Sequence, residues 1–167
     1  MTKQAPNLKV VEPVVERDTL EGYEPLLLAT GEQLNTYWPQ VAAVLQRCVD
    51  DAMDGEMTMQ DIYEAVCAGR MYALIAKNDE GEVPDVALAL ILELQAYPQF
   101  PVLHIAALGG RELDLLQSRF WKHVCSWAFM NGVRTMQACV SPAMARILKR
   151  YGFNKTYEMV RLNLTEM

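Results

Sequence analysis

The chain has 167 residues, of which 51% are hydrophobic, and its formal net charge at pH 7 is −6. This length suits one domain, and the composition is ample for a buried core, which excludes disorder as the main state. The basic residues are scattered, whereas nucleic acid and anionic membranes require clustered Lys and Arg. We therefore expect no nucleic-acid partner and no membrane association.

The four cysteines follow no metal-binding or disulfide pattern: they are Cys48, Cys67, Cys125 and Cys139. None has CxxC spacing and three lie among apolar residues, which favours buried free thiols over a zinc site or disulfides. No metal is predicted. The first residues lack the apolar run of a signal peptide, and no stretch approaches the roughly 20 apolar residues of a membrane span. We predict a cytosolic protein, or one packaged from the cytosol.

Residues 1–32 lack the regular spacing of apolar residues that is found in the rest of the chain. They contain Pro6, Pro13 and Pro25 and only isolated apolar pairs, so we predict an extended arm with a short strand at Leu26–Ala29. Residues 33–167 are predicted to form the single domain. The arm is too short to be stable alone, so we expect it to pack on this domain or on a neighbouring subunit.

Two helices are predicted to open the domain. The first is indicated by apolar residues at intervals of three and four: Leu34, Trp38, Val41, Leu45 and Cys48. Pro39 is tolerable only in its first turn. In the second helix, Thr58 and Asp61 have the spacing of a capping box, and Gly69 is placed as a C-terminal stop.

The periodicity then changes from helical to extended. Met71–Ala76 and Val86–Leu94 are typical of strands, and Asn78–Gly81 between them predicts a hairpin turn. A third apolar run, Val102–Leu108, does not alternate, which predicts a strand covered on both faces. Gly109-Gly110 follows it directly.

A helix is predicted after Gly109-Gly110 from a further periodic set: Leu113, Leu116, Phe120, Val124 and Trp127. A strand, a glycine turn and a helix N-terminus together present unpaired backbone N–H groups that suit a phosphate or pyrophosphate. An ordinary strand-to-helix turn is the alternative. After Asn131-Gly132 we predict a strand at Val133–Val140, a helix capped by Ser141-Pro142, and a final extended run at Phe153–Leu164.

This order of elements, together with the segments WAFMNGVRTMQACV and ARILKRYGF, resembles the GNAT acetyltransferase superfamily over about residues 34–164. A narrower likeness is to GNAT-like proteins of tailed bacteriophages, carried by Tyr97-Pro98 and Gly109-Gly110, with Trp127-Ala128 and Gly132 downstream. The resemblance implies an α/β (α+β) fold of GNAT type. Its mixed central sheet is expected to splay between the strands at 102–108 and 133–140, to be flanked by helices, and to hold the pantetheine arm of acetyl-coenzyme A.

The resemblance also implies a base for the substrate amine and an acid for the coenzyme thiolate. Glu93 and His104 are the candidate bases, although His104 could equally be a satisfied core histidine. The tyrosine that commonly acts as the acid falls at Leu148, which cannot donate a proton. Tyr151 is the remaining candidate acid, with a core or cleft-edge aromatic as its alternative role.

The candidate contacts to the coenzyme are Leu108, Gly109, Gly110, Arg111 and Arg146. The glycine loop is shorter than the family's and carries Glu112, whose charge would repel a pyrophosphate unless Arg111 offset it. Arg146 lies on the last helix, where it would contact an adenosine phosphate or face solvent.

Three functions remain open at this point. The departures at Leu148 and Glu112 favour a phage protein of GNAT fold that has lost catalysis, needs no cofactor, and serves as a virion or assembly component or binds a protein partner. Residues 1–32 would then reach other virion subunits, in the host cytoplasm or the virion. The first alternative is an active acetyl-coenzyme A-dependent N-acetyltransferase that acts on a small-molecule or protein amine. The second is a host-directed inhibitory binding protein.

Overall fold

The computed structural model of the chain describes residues 22–52, 55–111 and 119–167. The helices and strands of these residues are β1 (Glu24–Leu27), α1 (Gly31–Ala52), α2 (Met59–Cys67), β2 (Tyr72–Asn78), β3 (Asp85–Ala96), β4 (Pro101–Gly110), α3 (Arg119–Met130), β5 (Met136–Ala138) and α4 (Pro142–Lys149). Within these ranges, no helix has both the length and the apolar character needed to cross a bilayer.

The five strands form one mixed sheet in the order β1-β2-β3-β4-β5. The pairs β1–β2, β2–β3 and β3–β4 are antiparallel, and β5 runs parallel to β4. Along β3 the side chains alternate between two cores: Ala89 and Ile91 face α1 and α2, whereas Leu90 and Leu92 face α3. The predicted α/β architecture, a mixed sheet flanked by helices, is confirmed.

Local signals set the ends of α2 and α4. Thr58 and Asp61 form the predicted capping box, in which each side chain bonds the backbone N–H of the other residue. Past the end of α2, Gly69 adopts a positive φ of 71°, and its N–H donates to the carbonyl of Val66. Ser141 caps α4. These ends were predictable because each depends on residues only a few positions apart.

Pro39 lies in the ninth position of α1, so the prediction that confined it to the first turn is wrong. A proline in a helix interior removes one backbone hydrogen bond and costs about 3 kcal/mol. Pro39 is on the exposed side of α1, while Val41 and Leu45 on the inner side are completely buried. Each of these buried side chains contributes about 1.5–3 kcal/mol, which offsets the cost of the proline.

The described part of the predicted arm belongs to the sheet. Glu24–Leu27 forms β1, two residues earlier than the predicted strand, and pairs antiparallel with β2. Because α1 begins at Gly31, the boundary predicted at residue 32 falls inside this helix. Residues 1–21, which carry the rest of the arm, lie outside the described residues, as do Leu113 and Leu116 of the predicted third helix.

The final strand predicted at Phe153–Leu164 is absent: residues 153–163 form no ladder, and a short 3-10 turn follows at Leu164–Glu166.

The cysteine prediction is correct only in part. All four thiols are free and Cys48 and Cys125 are half-buried, but Cys67 and Cys139 are exposed.

Candidate functional site

Gly109 and Gly110 lie inside β4 rather than in a turn after it. Both residues are in register with β3, Gly109 opposite Ala89 and Gly110 opposite Leu88. A Cβ added to Gly109 would come within 2.3 Å of the carbonyl oxygen of Val44 in α1. A Cβ on Gly110 would come within 2.4 Å of the carbonyl oxygen of Ala87. These glycines therefore allow α1 and β3 to approach β4, and the predicted turn at this point is wrong.

Arg111, the candidate partner for a phosphate, is already bound within the protein. Its guanidinium donates two hydrogen bonds to the Asp85 carboxylate, at 3.1 and 2.6 Å, and one to the Tyr23 hydroxyl oxygen at 3.0 Å. The Tyr23 hydroxyl in turn donates to Asp85. The hydrogen bonds from Arg111, and then that from Tyr23, hold the pKa of Asp85 below its ordinary value. Glu112, the candidate repulsive charge, lies outside the described residues.

β4 and β5 separate after a short parallel contact. Their pairing covers Leu103–Ile105 and Met136–Ala138, whereas β4 continues to Gly110. Over these last five residues, no strand of the described chain pairs with the edge of β4 that faces β5. The splay predicted between the two strands is therefore present.

A β-bulge marks the point at which this separation begins. Ile91 of β3 pairs with Ala107, but the next residue, Leu92, pairs with Ile105, so Ala106 has no partner on β3. A bulge interrupts the ladder and reorients the local backbone. The apolar sequence around Ala106 carries no signal for it, because a bulge depends on the register against a neighbouring strand.

The two candidate bases are direct cross-strand neighbours. Glu93 of β3 pairs with His104 of β4, and His104 pairs in turn with Gln137 of β5. Opposite side chains on antiparallel strands have their Cβ atoms about 4.5–5.5 Å apart. Nδ1 of His104 is buried and has no hydrogen-bond partner. Burial lowers the pKa of His104 and so favours the neutral imidazole, although the Glu93 charge opposes this effect.

A polar bridge closes the end of the splay near the start of β4. The Gln137 amide donates to Gln95 at 2.8 Å and to the hydroxyl oxygen of Tyr97 at 3.4 Å, and the Tyr97 hydroxyl donates to Gln95 at 3.0 Å. Gln95 and Gln137 were not candidates in the sequence, because nothing local indicates that side chains of β3 and β5 reach each other across β4. Phe100 in the β3–β4 connection is 52% exposed and contributes to neither core.

A pocket of about 330 Å³ opens beside Glu93. Its charged lining consists of three carboxylates and one guanidinium: Asp61, Glu64, Glu93 and Arg70. Met57 and Met71 form the apolar part of the pocket wall. Carboxylates outnumber the guanidinium, so the pocket suits a cation better than an anion. The described residues contain no group of three His, Cys, Asp or Glu side chains that would hold a metal ion.

The remaining candidates lie on α4, after it, or in β4. Leu148 is 3% exposed and is a core residue. Tyr151 is half-buried, packs against the core on the α3 side, and has its ring centroid 5.9 Å from that of Trp121. Arg146 is exposed in the last turn of α4. Leu108 packs at the margin of the same core as Tyr151.

No family model and no curated protein matches the sequence. Solved structures do match its fold. A predicted acetyltransferase from Clostridium acetobutylicum, solved with acetyl-CoA, has a TM-score of 0.61 at 11% identity and covers 87% of this chain and 98% of its own. The aminoglycoside N-acetyltransferase AAC(6')-Iy, solved with CoA, has a TM-score of 0.59 at 14% identity and covers 85% and 95%.

A third structure, glucosamine-6-phosphate N-acetyltransferase from Arabidopsis thaliana, has a TM-score of 0.56 at 9% identity and covers 84% of this chain and 97% of its own. Two of these neighbours are N-acetyltransferases and the other is a predicted acetyltransferase, and the match covers almost all of each. The chain therefore has the GNAT fold. At these identities the likeness describes the fold, and the activity has to be argued from the site.

Proposed function

We propose that the protein is an acyl-coenzyme A-dependent N-acyltransferase whose acceptor is a cationic amine. The observation that carries this proposal is the separation of β4 from β5 directly beside the Glu93–His104 pair. The acetyltransferase neighbours solved with acetyl-CoA or CoA support acetyl-CoA as the donor.

The free edge of β4 fits the pantetheine part of the donor. Pantetheine contains two amide groups, and an unpaired strand edge offers alternating N–H and C=O groups that can bond amides as a neighbouring strand does. When bound, acetyl-CoA supplies a thioester whose carbonyl carbon an amine can attack. The backbone around the Ala106 bulge lies at this edge, and an N–H aimed at the carbonyl oxygen would stabilise its developing negative charge.

The Glu93–His104 pair supplies the proton acceptor. An ammonium group must lose a proton before its nitrogen becomes a nucleophile. Glu93 lines the acidic pocket, and burial lowers the pKa of His104 beside it, which favours the neutral imidazole that accepts a proton. The carboxylates of the pocket would hold the acceptor as a cation at the mouth of the site. Proton transfer to this pair would then produce the free amine.

The residues at the end of β4 fit the diphosphate part of the donor less well. The space beside Gly109 is occupied by α1 and the space beside Gly110 by β3, and Arg111 is bound to Asp85. We therefore assign no diphosphate contact to these three residues.

Titration calorimetry with acetyl-CoA tests the donor site, and micromolar binding is expected. The absence of heat at millimolar ligand would refute the proposal. Release of CoA can then be followed with spermidine, an aminoglycoside and a lysine peptide as acceptors. Glu93→Gln and His104→Gln should lower kcat about 10²- to 10⁴-fold without changing the Kd of acetyl-CoA. Glu82→Gln, an exposed glutamate in the loop before β3, is the matched control and should keep full activity.

The acceptor pocket has its own test. Glu64→Gln removes one carboxylate without touching the proton acceptors, so the KM for spermidine should rise several-fold while kcat remains unchanged. An unchanged KM would place the amine elsewhere.

A non-catalytic assembly role in a phage particle is the second candidate. Leu148, buried where the resemblance puts the acid tyrosine, favours it. Two of the structures compared above are N-acetyltransferases and the third is a predicted one, which does not support this role, and the arm that would reach other subunits lies largely outside the described residues. The absence of both acetyl-CoA binding and CoA release from any acceptor would favour this second candidate over the enzyme.

A further inference from the structure

Arg70 supplies a positive charge to the pocket beside Glu93, and the protein itself does not use that charge. Within residues 22–52, 55–111 and 119–167, no side chain forms a hydrogen bond or an ion pair with its guanidinium. Three carboxylates line the same pocket, at Asp61, Glu64 and Glu93, and none of them is paired with Arg70. The pocket therefore holds charges of both signs that remain separate.

The end of α2, and not an ion pair, determines where Arg70 lies. The N–H of Arg70 donates to the carbonyl of Ala65 at 2.9 Å, and the N–H of Gly69 donates to the carbonyl of Val66 at 3.1 Å. These two hydrogen bonds are those of a Schellman motif, which fixes the backbone directly after a helix. The planar guanidinium keeps its N–H donors for a ligand, and its geometry matches the two oxygens of a carboxylate.

The carboxylates lie on two elements of the pocket. Asp61 and Glu64 are three residues apart on α2 and so share one face of the helix, whereas Glu93 belongs to β3. The hydrogen bonds from Thr58, first from its backbone and then from its side chain, hold the pKa of Asp61 below its ordinary value. Both bonds end on Oδ2, which leaves Oδ1 for a ligand.

We propose that the acceptor is a diamino carboxylic acid of the size of ornithine or lysine, an inference that rests on the proposed function. Its carboxylate would bind Arg70, its α-ammonium group Asp61 and Glu64, and its side-chain ammonium group Glu93. Three carboxylates and one guanidinium give the lining a formal charge of −2, and a ligand with two ammonium groups and one carboxylate is complementary to it.

The spacing of the ligand charges fits the two elements. The α-ammonium and the carboxylate of an amino acid are one carbon apart and need neighbouring partners, which α2 and Arg70 provide. The second ammonium group is several methylenes away, and Glu93 meets it from β3. Met57 and Met71 offer apolar wall to the methylenes. The volume of about 330 Å³ is at the lower end for small-molecule sites, which favours a ligand of amino-acid size over an aminoglycoside.

The amine beside Glu93 is the one that reacts. Its nitrogen bonds to the acetyl carbon as the carbon–sulfur bond of the thioester breaks. Of the two protons that the ammonium group loses, one ends on the CoA thiol and the other leaves through the Glu93–His104 pair to solvent. The product is therefore acetylated at the side-chain nitrogen and keeps a free α-amine.

Pairs of acceptors that differ only in the carboxylate test this assignment. Release of CoA is followed with ornithine against putrescine and with lysine against cadaverine. The kcat/KM should be at least about tenfold higher for each amino acid, because a charge-assisted hydrogen bond is lost in the diamine. Proton NMR of the product should show acetylation at the side-chain nitrogen. Equal kcat/KM values, or a preference for the diamines, would overturn the proposal.

Variants of Arg70 show whether its charge sets this preference. Arg70→Gln should raise the KM for ornithine roughly 10- to 100-fold and leave the KM for putrescine unchanged. Arg70→Glu should lower the KM for putrescine and so reverse the preference, which a merely structural role would not do. Arg47→Gln is the control, because Arg47 is 94% exposed and pairs with Asp51 on α1. Equal changes in both KM values with Arg70→Gln would overturn the proposal.

Titration calorimetry separates this inference from the transferase activity. Ornithine and putrescine are titrated into the full chain with and without CoA, so that no turnover occurs. Ornithine binding that Arg70→Gln weakens, without CoA release from any acceptor, would refute the transferase and support the ligand assignment. Turnover of spermidine or putrescine without a preference for ornithine would keep the transferase and refute the assignment. No ornithine binding in either titration would also refute it.

Discussion

Replacing Gly109 by alanine distinguishes a packing glycine from a phosphate-binding one. The new Cβ would lie 2.3 Å from the Val44 carbonyl oxygen, 3.0 Å from the Val44 carbonyl carbon and 3.3 Å from Cα of Leu45. All three atoms belong to the backbone of α1, so no side-chain rotation can relieve the clash. The helix must move away from β4, although it carries Val41 and Leu45 in the core.

The cost of Gly109→Ala should be at the upper end of the overpacking range, about 3 kcal/mol. For a domain of this size, 1 kcal/mol corresponds to about 2–4 °C, so Tm should fall by about 6–12 °C. Differential scanning calorimetry and urea unfolding measure this change. Gly31→Ala, at the start of the same helix, is the control, because a Cβ there meets nothing within 4 Å. It should leave Tm unchanged or slightly higher.

The outcome separates two roles for Gly109. If the glycine served a phosphate rather than packing, Gly109→Ala would weaken acetyl-CoA binding and leave Tm within about 2 °C of the native value. That result would refute the packing argument and restore the turn predicted from the sequence. A large fall in Tm, absent from Gly31→Ala, would support the close approach of α1.

Three further predictions concern local interactions. Asp85→Asn should lower the free energy of unfolding at pH 7 by at most about 1 kcal/mol, because the pair with Arg111 is exposed. Since the pKa of Asp85 is depressed in the folded state, its stabilisation is present at neutral pH and is lost as pH falls. Urea unfolding should therefore show the gap between variant and native protein closing toward about pH 3, and an equal gap at both pH values would contradict this. Thr58→Ala should cost about 1 kcal/mol through loss of the α2 cap, and an unchanged urea midpoint would contradict it. Burial raises the pKa of Cys125 to about 11, so iodoacetamide at pH 8 should label exposed Cys139 first by mass spectrometry; equal labelling rates would refute this order.

The sequence predicted those parts of the fold that short-range chemistry determines. The capping box of α2, its glycine stop and the Ser141 cap each involve residues within a few positions, so the local pattern carries the whole signal. The hairpin of β2 and β3 was predictable for the same reason. The splay was correctly expected from the resemblance, not from any local pattern.

The errors arose where a distant segment decides the outcome. A glycine pair after an apolar run serves a turn or a close contact equally well, and at Gly109 the choice depends on Val44, far away in the chain. Residues 153–164 alternate as a strand does, but a strand also requires pairing with a neighbouring edge, and residues 153–163 form no ladder. Within the candidate site, the neighbours Glu93 and His104 were both named from the sequence. Their pairing with Gln137, and the bulge at Ala106, required the register.

The short contact between β4 and β5 also predicts that the molecule opens in two cooperative units. β2, β3 and β4 share long ladders, whereas β5 is tied to the sheet by three residue pairs. The unit formed by β5 and α4 should open on its own, at a lower free energy than global unfolding, and exchange its amide hydrogens sooner. A ligand that bonds both strand edges would link the two units. Its binding should therefore appear first as slower exchange in β5 and α4, before any rise in the Tm of the whole domain.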